Sequence, residues 1–226
     1  MDASELKLAL NTHFPEIAPG SADRLVAFAA LFREWNARLN LVSRKDIDAF
    51  EEHHLFHSLA IGKVIPFPAR TRVLDVGTGG GLPGLPLALA HPGSRFFLCD
   101  SIRKKADAVR AMVTELEVKT AEVVNKRAET LESKWDFILG RAVVALPMFL
   151  AWIRKNLRDG ETEGIPHGIL YLKGSRYAEE LESIEVTPFR VTALKEVVPL
   201  EYFEDKFLVH LRAADIRHAQ LPELPQ

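Results

Sequence analysis

The chain holds a single cysteine, Cys99. It cannot close an internal disulfide, so neither a disulfide framework nor a dependence on an oxidising compartment is open to it. An excess of either charge is also missing: 29 lysines and arginines stand against 31 aspartates and glutamates, a formal net charge of -2. No global field draws the chain to nucleic acid, and an anionic partner has to be held by a local patch. Long apolar runs are absent too. The longest, 142–153, contains Pro147 and falls well short of the ~20 residues of a membrane span. Met1-Asp2-Ala3-Ser4-Glu5 carries acids where a signal or transit peptide carries bases, with no apolar stretch behind it. Together these shortages predict a cytoplasmic protein with no membrane partner.

The 226 residues, 47% apolar and 27% charged, suffice for one α/β domain with an appended segment and exclude two large domains. Residues 1–70 read as a helical N-terminal extension. Leu25, Phe28, Phe32, Trp35 and Leu39 recur at three- and four-residue intervals behind Pro19-Gly20-Ser21, the stripe of a capped amphipathic helix. A second helix is predicted from a cap at Asp46, with Ile47, Phe50, His54, His57 and Ile61 on one face and Pro66-Phe67-Pro68 at its end.

Over 71–215 the texture changes. Apolar runs at 72–76, 95–99, 121–125, 136–140 and 168–172 alternate with helical patterns, which predicts a mostly parallel sheet with helices on both faces. After 185 the alternation stops. Segments 186–196 and 203–212 are joined by a loop too short for a helix and should pair as a C-terminal antiparallel hairpin. Residues 216–226 read as a disordered tail.

The informative run is Val73-Leu74-Asp75-Val76-Gly77-Thr78-Gly79-Gly80-Gly81-Leu82-Pro83-Gly84. It is a strand, a turn crowded with glycine, and a proline at a helix start, the form a chain takes when a ligand lies against its backbone. Residues 79–84 formally match the dinucleotide fingerprint G-x-G-x-x-G. The register beginning at Gly77 is different, and Asp75 puts a carboxylate at the strand end, which would repel a pyrophosphate and attract a cation. S-adenosylmethionine supplies such cations, an ammonium and a sulfonium. A tight turn with Asp75 as a helix cap is the plainer alternative. Asp100 ends the next strand-like run, where a carboxylate can accept both ribose hydroxyls of a nucleotide; it too has a helix cap as its alternative.

Asp75 to Ala88 resembles the signature of the bacterial 16S ribosomal RNA guanine-N7 methyltransferase G family, also called glucose-inhibited division protein B. Trp35-Asn36, Asn40-Leu41, His54, Asp100-Ser101 with Lys104, Arg127-Ala128-Glu129, Arg141-Ala142 and Leu172-Lys173-Gly174 match in order, so the resemblance runs from about residue 30 to 180. It implies a class I S-adenosylmethionine-dependent methyltransferase of Rossmann-like fold that methylates N7 of one guanosine in 16S ribosomal RNA or a precursor of the small subunit. Residue by residue it implies cofactor contacts at Gly77, Leu82, Ala128, Glu129 and Arg141, beside Asp75, Gly79 and Asp100. The family commonly carries His-x-x-Asp-Ser where this chain has His54-Leu55-Phe56-His57-Ser58, so any role of that acid has no counterpart here.

Arg103, Lys104 and Lys105 open a helix, against the helix dipole; they are candidates for RNA phosphates or a solvated basic face. Arg127, Arg141 and Lys173 follow successive strand-like runs, at the edge where open α/β sheets bind ligands, with ion pairing to a neighbouring acid as the alternative. The resemblance favours function for Arg141 and Lys173, and His54 joins Arg103, Lys104, Arg127 and Lys173 as a candidate RNA contact. His53, His54 and His57 have no third ligand at a suitable spacing, so no metal is expected. The Asn/Asp-Pro-Pro-aromatic loop of amino-group methyltransferases is missing at Gly140-Arg141-Ala142. Guanine N7 has no proton to lose, so no general base is required. The alternatives are a small-molecule methyltransferase and a non-catalytic RNA-binding ribosome-assembly factor.

Overall fold

The structure, a computed structural model, describes residues 1–224. Five strands lie where the apolar runs predict them: β1 (Arg72–Val76), β2 (Arg95–Cys99), β3 (Ala121–Val124), β4 (Phe137–Arg141) and, after a small ribbon of β5 (Glu161–Thr162) with β6 (Ile165–Pro166), the long β7 (Gly168–Gly174). With β8 (Arg190–Ala193) and β9 (Lys206–Leu211) they make a seven-stranded sheet of order β3-β2-β1-β4-β7-β9-β8. The first five pair in parallel; β9 slots antiparallel between β7 and β8. The expected hairpin is therefore present, but its connection has room for two single 3-10 turns, Leu194–Glu196 and Glu201–Phe203. The second of these carries Tyr202.

Alternation along the strands divides the core in two. Val73, Phe96, Leu98, Phe137 and Leu139 face one side and Leu74, Val76, Cys99 and Ile138 the other. The first side is covered by α1 (Ala3–His13), α2 (Ser21–Leu39), α3 (His57–Val64), α4 (Gly84–Ala90) and part of α5 (Arg103–Glu115); the second takes α6 (Leu146–Ile153) and α7 (Tyr177–Glu182). Leu25, Phe28, Phe32 and Phe50 of the helical extension sit in the same buried cluster as Val73 and Phe96. The extension thus completes the face of the sheet and has no core of its own.

The cap of α2 falls within Pro19-Gly20-Ser21, at Gly20, and the Ser21 hydroxyl donates to the Leu89 carbonyl at 2.7 Å, tying α2 to α4. Other local expectations need correction. Asp46 makes no cap bond, its carboxylate accepting from the Ser43 hydroxyl at 2.6 Å. The helix expected behind it is three pieces, a 3-10 turn at Ile47–Ala49, a π-helix at Glu51–Phe56 and then α3. The wider π-turn brings Leu55, five residues after Phe50, fully inward where an α-helical stripe would place His54, a shift that the three- and four-residue spacing does not reveal. The tail expected to be loose from 216 is partly docked, with Ile216 buried and Leu221 against the second cluster; its last two residues, 225 and 226, lie outside the described residues.

Candidate active site

Strand order reverses on either side of β1, whose neighbours are β2 and β4. The loops leaving their carboxyl ends diverge there and open a crevice, the place where such sheets take ligands. A cleft of about 290 Å3 occupies it, lined by the end of β1 (Val76, Gly77), the end of β2 (Cys99 to Ile102), the loop after β3 (Lys126 to Glu129), the turn after β4 (Ala142, Val143), Lys105 and Trp152.

Contacts shape the glycine turn on every side but one. Gly77, Gly79 and Gly81 have φ of 67°, 57° and 91°, the left-handed region that disfavours side chains. A Cβ on Gly77 would stand 2.8 Å from Val143, whereas one on Gly79 would meet nothing nearer than 3.9 Å, so Gly79 turns a bare backbone face to open space. Gly80 is closed off by Phe32 and Leu41 of the extension.

Asp75 lies behind this turn rather than in the cleft. One carboxylate oxygen accepts from the Thr78 hydroxyl at 2.6 Å and from the Gly84 backbone N–H at 2.9 Å; the other is buried without a partner. Asp75 is thus the internal cap of α4, and the plainer alternative correctly describes half of its work. This also removes the dinucleotide reading, since the N–H that would face a pyrophosphate is already bonded to a carboxylate. Burial raises the Asp75 pKa to about 6 against the opposing pull of Thr78 and Gly84.

Asp100 joins the two loops. It accepts from the Gly79 N–H at 2.9 Å with one oxygen and from the Ile102 N–H at 2.8 Å with the other. A carboxylate has about four acceptor sites, so capacity remains for hydroxyl donors from the cleft that it lines. Ala128 and Glu129 line the same cleft, with Arg127 exposed beside them and paired to Glu129 at 2.5 Å. Cys99, also on the wall, is no nucleophile: burial pushes its thiol up to about 12.

The remaining candidates sit farther back. Leu82 is buried, packed at the foot of the turn. Arg141 leaves the end of β4 toward the π-helix, where it donates to His54 Nδ1 at 2.8 Å and to the His53 carbonyl at 3.4 Å. An arginine can only donate, so His54 is neutral with its proton on Nε2; burial first, and Arg141 second, hold its pKa down at about 4. His57 is likewise held well below its usual value by burial and then by Arg141 and Lys206.

Lys173 is paired with Glu180 at 2.6 Å, and Glu180 also accepts from the Leu146 N–H at 2.5 Å. The ion-pair alternative is what the structure contains there, and this bond fixes the start of α6. Arg103 and Lys104 are exposed at the start of α5, Arg103 within 3.7 Å of Asp107.

Sequence reasoning did not find Trp152, Val143, Lys126 or Ala142 on the cleft wall. Only Ala142 left a signal, adjoining Arg141 in the family match; it holds a left-handed φ of 51°, a strained conformation of the kind that concentrates at ligand sites.

Residues 21–202 match the family described as rRNA small subunit methyltransferase G. The chain is 41% identical over 199 residues to the ribosomal RNA small subunit methyltransferase G of Flavobacterium johnsoniae, covering 88% of this chain and 94% of that one. It is 37% identical to the protein so named in Cytophaga hutchinsonii, covering 90% and 98%. In fold it is similar to a TehB-like SAM-dependent methyltransferase from Corynebacterium glutamicum, with a TM-score of 0.50 at 16% identity, covering 81% of this chain and 98% of that one. The seven-stranded sheet, the glycine turn fastened to Asp100 and these two relatives agree: the chain belongs to the rRNA small subunit methyltransferase G family.

Proposed function

We propose that the protein transfers a methyl group from S-adenosylmethionine to N7 of a guanosine in 16S ribosomal RNA, within the bacterial cytoplasm where small subunits are built. The observation that carries this reading is the cleft in which Asp100 and the bare backbone of the glycine turn meet, in a chain of this family. The residues fit the cofactor. Asp100 has acceptor capacity for ribose hydroxyls, Ala128 and Glu129 would flank the adenine, Gly77 lets the turn pass close to Val143, Gly79 leaves backbone open to the ligand, and Leu82 and Asp75 brace the turn from behind. The unpartnered Asp75 oxygen adds negative potential beneath a ligand carrying positive charge.

When bound, the cofactor supplies a methyl group on a cationic sulfur, open to in-line displacement. Guanine N7 offers a lone pair and no proton, so the chain's own work is to hold acceptor and donor in line and to exclude water. No side chain has to remove a proton. Arg141, held by His53 and His54 of the π-helix, would orient the cofactor. Arg103, Lys104 and Arg127 stand on the rim to meet RNA phosphates. Lys173 and His54 would act through the elements they hold in place, α6 for the lysine and Arg141 for the histidine. Among the described residues no helix is long and apolar enough to cross a membrane.

Transfer of label from S-adenosylmethionine to purified small subunits, naked ribosomal RNA and a small-molecule extract tests this directly. Label in the ribosomal RNA of either of the first two is expected; label only in the extract would replace RNA with a small-molecule acceptor.

A further inference from the structure

Tyr202 lies on the 3-10 turn between β8 and β9, distant in sequence from the histidines it touches. Its ring stacks on His53 with centroids 4.2 Å apart and planes 16° from parallel. Its hydroxyl donates to the His53 carbonyl at 3.2 Å and lies 3.4 Å from His57 Nδ1.

The His53 carbonyl is an unusual acceptor. In an α-helix it would be covered by the backbone N–H of residue 57. In the π-helix the His57 N–H turns instead to the His54 carbonyl, and two side chains reach His53: Tyr202 from the C-terminal hairpin and Arg141 from β4. Arg141 has no carboxylate within ion-pair distance among the described residues; its two polar partners there are the His53 carbonyl and His54 Nδ1. Both belong to the π-turn, so the aim of the guanidinium depends on where that turn sits. The turn in turn is held on its outer side by Tyr202. π-Turns of this kind recur where a helix is bent to serve a site.

We propose that Tyr202 is a positioning residue: through the His53 carbonyl and the stacked His53 ring it fixes the π-helical turn that aims Arg141, and so sets cofactor affinity without touching cofactor or RNA. The inference rests on the reading of Arg141 as the residue that orients S-adenosylmethionine.

Tyr202→Phe tests it, because the ring stays on His53 and only the hydroxyl is lost. Calorimetry is expected to show S-adenosylmethionine binding weakened roughly three- to tenfold, the loss of one hydrogen bond, with a thermal midpoint close to that of the parent. In an Arg141→Ala background the same change should add little, since the two act in series. Unchanged affinity in Tyr202→Phe, while Arg141→Ala weakens binding, overturns the positioning role alone. Unchanged affinity in Arg141→Ala overturns both it and the reading on which it rests. A loss of affinity that accompanies a lowered midpoint and persists undiminished in the Arg141→Ala background marks a merely structural tyrosine and also overturns the proposal.

Discussion

Asp100 accepts a hydrogen bond from the backbone N–H of Gly79 at 2.9 Å, so the acid that ends β2 and the glycine turn that follows β1 are fastened to one another. The contact makes the cleft's geometry a property of the free protein. Ligand binding then does not have to organise the turn, which lowers the ordering cost of association.

Asp100→Ala should therefore do two things. Loss of a charged acceptor weakens S-adenosylmethionine binding by ~1 to 3 kcal/mol, and freeing the Gly79 and Ile102 amides lowers stability by about 1 kcal/mol more. Calorimetry and thermal melting measure the two effects. Unaltered affinity would remove Asp100 from the site, and tighter binding of NADH than of S-adenosylmethionine would restore the dinucleotide reading.

The pH dependence follows from which groups titrate. His54, at about 4, and His57, held well below its usual value, stay neutral through the neutral range. Asp75, raised by burial to about 6, does not stay ionised in mild acid. Protonation there weakens its hold on Thr78 and Gly84, so kcat/KM for the cofactor should be flat from about pH 7 to 9 and fall below about pH 6. Asp75→Asn should abolish that limb while His54→Gln and His57→Gln retain it. A limb near 6.5 that vanishes in either histidine variant would instead identify a proton-abstracting base.

Stability in acid carries the same signs. His54, His91 and His210 have folded pKa values lowered to about 4, chiefly by burial. The unfolded chain binds those protons near 6.5, so stability is lost as pH falls from about 6.5 toward 4. Asp75 works in the opposite direction, gaining stability as it is protonated below about 6. Three histidines outweigh one acid, and melting curves should show the midpoint lower by at least ~5 °C at pH 5 than at pH 7. A midpoint that holds or rises on acidification contradicts the neutral, buried histidines.

Arg103 and Lys104 are the cleaner pair for probing RNA contacts, because Lys105 lines the cofactor cleft. Reversing both to Glu should weaken RNA binding about tenfold or more and flatten its salt dependence by roughly two counterions, with cofactor affinity intact. An unaltered salt slope would make them a solvated face.

How far the sequence carried these conclusions depended on the kind of signal. The order of β1, the glycine turn and Asp100 was legible because strand runs and φ-positive glycines are local properties. So was the antiparallel end of the sheet. The inward turn of Asp75 was not, since a carboxylate at a strand end can face either the ligand or the helix it precedes, and only the bond to Gly84 decides. Nor was the π-helix. Tyr202 was invisible because its partners, His53 and His57, stand 149 and 145 residues away in the chain, and the position of Lys173 at a strand end does not show that Glu180, on the following helix, holds it.

The acceptor atom, N7 of guanine, can be identified chemically. Small-subunit RNA methylated by the protein should be treated with borohydride and aniline, which cleave the chain at N7-methylguanosine, and the cut located by primer extension. One cleavage site at a guanosine is predicted, present after incubation with the protein and S-adenosylmethionine and absent when either is left out. Methylated RNA that resists cleavage, its label recovered on another base atom or on ribose, would contradict it.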